Sequence, residues 1–578
     1  MDSYKKISLR NKLRPFIDDG EVWAKVIDIE CNKVYSDIEE NGSFTVTLDI
    51  LNNRMKKKDE MLHKIINEKD FEDNEELTKE FIENYMYISF MKIEVDDVRV
   101  IKKIEGFNDD WFKLKIIDID KFMKKAEKII AMIGKNNNIN ELYKQVIIDK
   151  RCIMNANKNW VMRGEWTFSA SPVVSKSYLV ELLDTFEEDK PKKLEVPEDA
   201  IFSSKEEILE CIKDFNTFHF NKIKVNHVGQ GHNSILLNHN EEFVFYDIGF
   251  TLSYKRDKSK KLKSEDVNID KCKMIILSHW DLDHYLGIAL YDYEKLFNKV
   301  WIAPSEAKSQ TAKRIINIIF KVSKRKLLIS DYIDTEKIML GDNLVIYRNK
   351  SSKAKDYINN NGLSIYINKK SKNVNLLKLV SVGDVAYENM HKDFKEENKL
   401  DILVAYHHGS GNYKKNIFES NNNSKSIAII PVGCNTHKHP TEIAINDLKS
   451  KGFNIYRTDG LKENFKCDNK CEECEINNNK YIEFDLEINE EIKEELDVII
   501  DEEISRYPPD SFYDRYEDGV FHSGVFHSGI WDEVYLNIKS EIEEVLEREK
   551  ICLPIEYFID DNIIDDRITD AYIDSYND

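Results

Sequence analysis

The stretch SHWDLDH at residues 278–284 brings two imidazoles and two carboxylates into six consecutive positions, directly after the apolar run MIIL at residues 274–277. The apolar run predicts a buried strand that ends where the polar side chains begin. Alternation in an extended segment puts His279, Asp281 and Asp283 on one side, and a bend turns His284 back towards them. Four ionisable groups this close repel one another or shift one another's protonation unless a cation lies between them. The pattern therefore favours a divalent metal site over a polar turn before a helix.

The string HWDLDH resembles the HxHxDH signature of the metallo-β-lactamase fold, in the variant with Asp for the second His that occurs in the nuclease-like domain of the ComEC family of DNA-uptake proteins. Further segments match in that family's order: VGQG at 228–231, YDIG at 246–249, NNNGLSIYI at 359–367, SVGD at 381–384, YHHGS at 406–410 and a run at 431–459. The resemblance implies a central αβ/βα four-layer sandwich, covering residues 222–460, that carries a metal-dependent hydrolase site.

The same resemblance implies a set of metal ligands for two divalent ions, namely His279, Asp281, Asp283, His284, Asp384, His407 and His408. Asp384 is expected to bridge the two ions. Adjacent residues on an extended chain point in opposite directions, so the two members of the doublet cannot be equivalent ligands, and His408 is preferred because it precedes a glycine. Asp247 is expected to orient metal ligands through hydrogen bonds rather than to bind metal.

Other residues are expected to act on the substrate. Asp283 and His439 are assigned catalytic roles, with His439 as phosphate ligand or general acid at the start of a helix. Ser410 is expected to hydrogen-bond a phosphate oxygen or the neighbouring turn. Three lysines of the basic run at residues 254–263 are candidates for attracting an anionic polymer, although a solvated loop explains such a run equally well. They are Lys258, Lys260 and Lys261.

Two histidines replace acidic residues of the resembling domains, where the first turn reads DVGQGD. His227 and His232 stand at the two Asp positions in this chain, so any acidic role there is in doubt. Either imidazole can face the site or serve the structure beside the glycine turn, and the sequence leaves both open.

The length of 578 residues exceeds what one hydrophobic core supports. The fold class is therefore α+β multidomain: an α+β module at 1–200, the catalytic domain at 201–485, and an acidic, largely helical segment at 486–578. In the module, residues 43–51 and 87–100 predict strands and residues 75–85 and 119–133 predict helices. Residues 487–578 hold 28 acidic and 7 basic residues and so carry the whole net charge of −21, which leaves a neutral body.

The sequence favours a cytoplasmic protein without a membrane association. It has neither a long apolar run nor a secretory leader, and an odd number of nine cysteines argues for reduced thiols. Cys467, Cys471 and Cys474 are spaced for structural zinc but lack an obvious fourth ligand, so a reduced loop is the preferred interpretation.

The resemblance therefore implies a soluble nuclease that cleaves phosphodiester bonds in DNA, in preference to RNA, with a hydroxide activated by two metal ions. Carboxylate-rich ligands favour Mn²⁺ or Mg²⁺, with Zn²⁺ as the alternative. A role in antiviral defence and control by a regulatory protein partner or a homo-oligomer are conjectures from the domain layout. The competing functions are a small-molecule phosphodiesterase or lactonase and a non-catalytic binding protein on the same fold.

Overall fold

The computed structural model of the chain describes residues 20–31, 44–66, 75–95, 98–107, 110–118, 153–154, 160–169, 173–183, 190–202, 204–229, 231–250, 262–323, 327–329, 337–341, 343–349, 357–371, 374–396, 398–421, 426–433, 439–460, 481–485, 490–506 and 528–548.

The first part of the chain forms an antiparallel β-barrel. Its strands are β1 (Gly20–Cys31), β2 (Phe44–Leu51), β3 (Ile88–Val95), β4 (Phe112–Asp118), β5 (Ile153–Met154), β6 (Trp160–Ser169) and β7 (Val173–Leu182). The strand order is β3-β2-β1-β4-β7-β6-β5, and an additional pairing of β3 with β6 closes a ring of six strands. Closure leaves no free edge in that ring, because each of its strands is hydrogen-bonded on both sides.

Three helices accompany the barrel: α1 (Asn53–Ile66), α2 (Glu75–Tyr85) and α3 (Val98–Glu105). The predictions of a strand at 43–51 and a helix at 75–85 agree with these bounds. The predicted strand at 87–100 runs too far, because α3 buries Val100, Ile101 and Ile104, a helical spacing rather than an alternation. The predicted helix at 119–133 lies outside the described residues.

The next part of the chain contains two large mixed sheets. The first has the order β24-β9-β10-β11-β12-β13-β14-β8. Its strands are β8 (Ile201–Phe202), β9 (Lys222–Asn226), β10 (Asn233–Leu237), β11 (Phe243–Ile248), β12 (Cys272–Ile276), β13 (Val300–Pro304), β14 (Leu328–Ile329) and β24 (Tyr481–Asp485). From β11 through β14 and on to β8 the pairing is parallel, so the carboxyl ends of these strands meet at one edge.

The second sheet has the order β15-β16-β17-β18-β20-β22-β23. Its strands are β15 (Lys337–Leu340), β16 (Leu344–Arg348), β17 (Leu363–Ser371), β18 (Val374–Ser381), β20 (Ile402–Val404), β22 (Ile427–Ile430) and β23 (Asn454–Arg457). A two-stranded sheet of β19 (Lys399–Leu400) and β21 (Glu419–Ser420) lies beside it. From β18 to β23 the strands are parallel, which again gathers their carboxyl ends.

The two sheets face each other across a shared apolar core. Val244, Tyr246, Met274 and Ile276 of the first sheet belong to one buried cluster with strand residues of the second, whereas the intervening Phe245 belongs to a different cluster. This period of two shows that alternate side chains serve opposite faces of each sheet. The Tyr246 hydroxyl donates to the carbonyls of Leu363 (2.9 Å) and Ser381 (3.2 Å) and so ties the two sheets together.

Helices cover the outer faces and complete the four layers. The helices of this part of the chain are α4 (Lys205–Ile212), α5 (Leu282–Tyr285), α6 (Tyr293–Phe297), α7 (Gln310–Ser323), α8 (Tyr357–Asn360), α9 (Asp393–Glu396) and α10 (Glu442–Ser450). Among them, α4 packs instead against the core between the sheets, through Ile208 and Ile212. The outer face of the first sheet packs in one cluster with α6 and α7, and that of the second sheet packs with α9 and α10. Both faces of each sheet are therefore buried, as parallel strands require.

Hydrogen bonds join the barrel to the sandwich. Asp49 of β2 accepts from the Gln310 backbone N–H (2.6 Å) and the Thr311 hydroxyl (2.8 Å), at the first turn of α7. Lys308 Nζ donates to the carbonyl of Ile27 in β1 (2.8 Å). An anionic side chain at a helix N-terminus is stabilised there, so the barrel supplies the cap for a helix of the sandwich.

Two further helices, α11 (Glu490–Ser505) and α12 (Ser528–Arg548), follow the last strand. Their apolar side chains pack against the core between the two sheets and are buried there. These are Leu496, Ile500, Ile504, Val534, Ile538, Ile542 and Val545. No helix among the described residues is both long enough and apolar enough to cross a membrane.

Candidate metal centre

The SHWDLDH stretch lies at the carboxyl end of β12. Asp281 has extended backbone angles (φ −89°, ψ 149°) and stands immediately before the short helix α5, which contains Asp283 and His284. The helix supplies the bend that the sequence required to turn His284 back. His279 and His284 come within 4.1 Å of each other, measured between ring centroids.

Asp384 enters from the second sheet, just after β18. Gly383 before it has a left-handed backbone (φ +57°), and a Cβ on it would lie 2.7 Å from the Cβ of Ser278. Only glycine permits both the conformation and the close approach. The turn therefore brings the carboxylate of the second sheet against the SHWDLDH loop of the first.

Both members of the His407–His408 doublet face the centre. The expectation that they point in opposite directions is wrong, because it assumed an extended chain. His407 (φ 42°, ψ 56°) and His408 (φ 53°, ψ 27°) are both left-handed, and this curl places both rings on the same side. Two consecutive non-glycine residues with positive φ carry conformational strain, which surrounding contacts must offset.

The oxygens of Asp384 divide between two groups of nitrogens. Oδ1 lies 3.3 Å from His284 Nε2, whereas Oδ2 lies 3.7 Å from His279 Nε2 and 3.5 Å from His407 Nδ1. On one flank, His279 Nε2 lies 3.3 Å from Asp281 Oδ2. On the other, His408 Nε2 lies 3.1 Å from Asp283 Oδ2. The other six predicted ligand residues thus lie around the Asp384 carboxylate.

Among the described residues, three sets of three have ligand atoms close enough for one ion, and two of them lie at the centre: His279, His284 and Asp384, and Asp283, His284 and His408. Both sets use His284, and a single nitrogen lone pair binds only one ion. Two ions would therefore divide the ligands so that His284 joins Asp283 and His408, while His279 joins Asp281 and His407. Asp384 would offer one oxygen to each ion.

The imidazoles are oriented so that their free nitrogens point at the centre. Nδ1 of His284 donates to Asp247 Oδ2 (2.7 Å), and Nδ1 of His408 donates to the Pro431 carbonyl (2.7 Å). Nδ1 of His279 lies 3.0 Å from Ser278 Oγ. A hydrogen bond at one ring nitrogen leaves the lone pair of the other directed at a metal.

Three buried atoms at the centre lack hydrogen-bond partners among the described residues, namely His279 Nε2, His284 Nε2 and Asp384 Oδ1. A buried polar atom without a partner costs about 1–3 kcal/mol, and a bound cation would satisfy all three atoms at once. Imidazole nitrogens and carboxylate oxygens are donors that Mn²⁺ and Zn²⁺ accept. The residues present therefore fit divalent metal ions.

Asp247, predicted to orient ligands, is placed to do so. It is fully buried with a left-handed backbone (φ 57°) and accepts from the Ser278 N–H (2.6 Å), the Ser278 hydroxyl (2.8 Å) and His284 Nδ1. His232 Nδ1 lies 3.1 Å from the same carboxylate. Burial opposes ionisation of Asp247, but His284 and His232 outweigh it and hold its pKa below the usual range.

Charge pairing also shifts the pKa values at the centre. Burial would raise the pKa of Asp384 and Asp283, yet the neighbouring imidazoles lower both. Burial would lower the pKa of His284 and His408, yet the carboxylates beside them raise both. Without metal, the carboxylates thus favour the protonated forms of His284 and His408.

The other predicted residues have different outcomes. The ring of His439 lies 5.6 Å from that of His407, at the rim of the centre. Ser410 is buried and accepts from the Asn412 N–H (3.3 Å), so it supports the neighbouring turn. The three lysines of the basic run and the three cysteines at 467–474 lie outside the described residues.

Sequence reasoning missed Ser278 and left the role of His232 open. Ser278 contacts both Asp247 and His279, and its position directly before the HWDLDH string was the available signal. His232 is buried beside Asp247, and the replacement of an acidic residue after the glycine turn was its only signal.

Comparison with known proteins gives one family match. Residues 228–340 match the family model described as metallo-beta-lactamase superfamily. A solved structure of human tRNase Z, short form, is similar with 11% sequence identity and a TM-score of 0.20, over 32% of this chain and 76% of that chain. No curated protein matches.

Proposed function

Because this chain carries a metallo-beta-lactamase superfamily domain, whose members are usually metal-dependent hydrolases, we propose that it cleaves phosphodiester bonds in nucleic acid, with DNA as the preferred substrate. The prediction of a domain of this superfamily is confirmed. The narrower resemblance to the ComEC nuclease-like domains stays a prediction, as does the role in antiviral defence.

The observation that carries the proposal is the division of the Asp384 oxygens between His284 on one side and His279 with His407 on the other. A carboxylate with one oxygen for each of two ions is the arrangement of two-metal hydrolytic sites. When bound, two divalent ions lower the pKa of a water and stabilise the charge that develops on the attacking and leaving oxygens of a phosphodiester.

The chain's own residues orient the ligands and open the centre on one side. His279, His284 and Asp384 are at most 3% exposed as side chains, whereas Asp281 (33%), His407 (28%) and Asp283 (19%) reach solvent. A substrate phosphate therefore approaches from the side of His407. His439 lies next to His407 on this side, and the proposal gives its imidazole the role of donating a proton to the leaving oxygen.

The ligand set bears on the choice of metal. Three carboxylates favour oxygen-preferring ions such as Mn²⁺ or Mg²⁺, and four imidazoles favour Zn²⁺. Each side of the centre pairs a carboxylate with an imidazole, namely Asp281 with His279 and Asp283 with His408. Because Mn²⁺ accepts both oxygen and imidazole ligands, we propose Mn²⁺ as the activating ion, with Zn²⁺ as the alternative.

The test uses the full chain, stripped of metal and reloaded separately with Mn²⁺, Mg²⁺ or Zn²⁺. Supercoiled plasmid, single-stranded DNA, RNA of the same sequence and bis(p-nitrophenyl) phosphate are offered to each form. We expect cleavage of DNA with Mn²⁺ and its loss in Asp384→Asn, which keeps the side-chain shape but removes the bridging charge.

Other outcomes point elsewhere. Hydrolysis of the small ester alone favours a small-molecule phosphodiesterase. Metal binding without hydrolysis of any of these substrates favours a binding protein. An Asp384→Asn variant as active as the parent overturns the two-metal proposal.

A further inference from the structure

His232 contacts the metal-binding loop through its backbone. Its N–H donates to the Asp283 carbonyl (3.2 Å), and its own carbonyl accepts from the Gly249 N–H (2.7 Å). The three segments approach so closely that a Cβ on Gly249 would lie 1.9 Å from the Asp283 oxygen. Residue 232 is therefore held at a fixed distance from the loop that carries Asp283 and His284.

The side chain of His232 points at the carboxylate that orients His284. It is 3% exposed, with Nδ1 3.1 Å from Asp247 Oδ2 and Nε2 3.1 Å from the Ser234 hydroxyl. A neutral imidazole satisfies both contacts, since Nδ1–H donates to the carboxylate and Nε2 accepts from the hydroxyl. The Ser234 contact thus selects the tautomer that presents a proton to Asp247.

His232, Asp247 and His284 also have the spacing of a metal-binding group. The separations of 2.7 Å and 3.1 Å from the Asp247 oxygen to the two Nδ1 atoms are those of N–H···O hydrogen bonds. His284 already directs its other nitrogen at Asp384. The group is therefore a hydrogen-bonded network behind the metal centre rather than a third metal site.

The hydrogen bonds of this network matter because Asp247 has an unfavourable backbone conformation. A left-handed backbone at a non-glycine residue costs on the order of 1–3 kcal/mol and persists only when surrounding contacts determine it. Its Oδ1 accepts from the Ser278 N–H, and its Oδ2 accepts from the Ser278 hydroxyl, His284 Nδ1 and His232 Nδ1. Without His232, Oδ2 would lose one of its three contacts, and Ser278 and His284 alone would hold the carboxylate.

We propose that His232 is a positioning residue, which fixes the Asp247 carboxylate and, through it, the orientation of His284 and the affinity of the ion that His284 holds. This inference rests on the proposed metal centre. An acidic residue at position 232, as in the resembling domains, would set a second carboxylate beside Asp247. The imidazole supplies a proton donor there instead.

Three variants of the full chain separate positioning from packing. His232→Ala removes the donor, and His232→Asn places an amide N–H where Nδ1–H was. Ile223→Ala opens a cavity in the core between the sheets, at the end of β9 that lies away from the site, and serves as the stability control. The dissociation constants of both ions are measured by competition with a chromophoric chelator, and the absorption spectrum of the Co²⁺-loaded chain reports the ligand geometry.

We expect His232→Ala to weaken the binding of one ion on the order of ten-fold, as the loss of a hydrogen bond that orients a metal ligand typically does. The same variant should change the Co²⁺ spectrum. His232→Asn should restore most of the affinity, and Ile223→Ala should lower thermal stability without changing either constant. Equal affinity of parent and His232→Ala overturns this inference alone. Equal losses in all three variants overturn it too, in favour of a packing role. A parent chain that binds no metal overturns the metal centre together with it.

Discussion

Arg314 of α7 and Asp59 of α1 form a buried, bidentate ion pair between the sandwich and the barrel. Nε donates to Oδ1 (2.7 Å) and Nη2 to Oδ2 (2.9 Å), and both side chains are at most 5% exposed. The guanidinium also lies 3.7 Å from the ring centroid of Tyr87, whose hydroxyl donates to Asp59 (2.7 Å). Charged groups therefore join two parts of the chain that the sequence suggested were separate.

Removing one partner of this pair should destabilise the whole chain. Asp59→Ala or Arg314→Ala leaves an uncompensated buried charge, so we expect each to lower the free energy of unfolding by about 3–5 kcal/mol. The double variant should cost less than the two single variants added together. Chemical denaturation measures all three, with Lys295→Ala as the control, since its pair with Asp270 is exposed and should leave stability unchanged. Strictly additive losses would show that the pair does not couple the two parts.

Gly383→Ala should damage the turn that presents Asp384. The substitution meets both a left-handed φ and a 2.7 Å approach to Ser278, so we expect a loss of about 1–3 kcal/mol and weaker metal binding. Gly20→Ala is the matched control, because a Cβ there would meet no atom within 4 Å. Denaturation of the metal-free chains compares the two. Equal stability of both variants would contradict the role assigned to Gly383.

The two histidines of the doublet should serve different ions. His408 lies beside Asp283, whereas His407 lies beside the Asp384 oxygen that also faces His279. We expect His407→Ala and His408→Ala each to lose one of two bound ions and the double variant to lose both, as measured by metal analysis after gel filtration. His439→Ala should keep both ions and lose hydrolytic rate. Loss of both ions in each single variant would show that the ligands do not divide as proposed.

Metal affinity should rise with pH around neutrality. The pKa values of His284 and His408 are raised in the metal-free chain, mainly because neighbouring carboxylates outweigh the effect of burial, and the ions bind only unprotonated imidazole. Metal binding should therefore release protons, which calorimetry in two buffers of different ionisation enthalpy detects. Proton uptake, or none, would contradict the protonation state assigned here.

The stability of the metal-free chain should have the opposite pH dependence. A histidine whose folded pKa lies above its unfolded value stabilises the fold fully below about pH 6.5, and this contribution is lost as pH rises through the folded pKa. The metal-free chain is therefore expected to melt at a lower temperature at alkaline than at mildly acidic pH. Thermal melting of the metal-free chain over that range checks this sign.

Much of the metal centre could be predicted because its residues follow strands whose patterns are local. The apolar run before His279 and the glycine before Asp384 mark strand ends and turns without reference to the rest of the chain. The curl of the His407–His408 doublet could not be predicted in this way. Its left-handed angles depend on contacts such as that of the His407 N–H with the Gly383 carbonyl, which lies far away in sequence (3.1 Å).

The amino-acid sequence by itself determined the alternating strands, the α+β character and the residue types able to hold divalent ions, because periodicity and side-chain chemistry are properties of short segments. The tertiary structure alone decided that β3 pairs with β6 to close a barrel, that Asp49 caps a helix of the sandwich, and that His232 reaches Asp247. Each of these joins residues that are separated along the chain. Such contacts form only once packing has set the distance between whole elements, which no local pattern encodes.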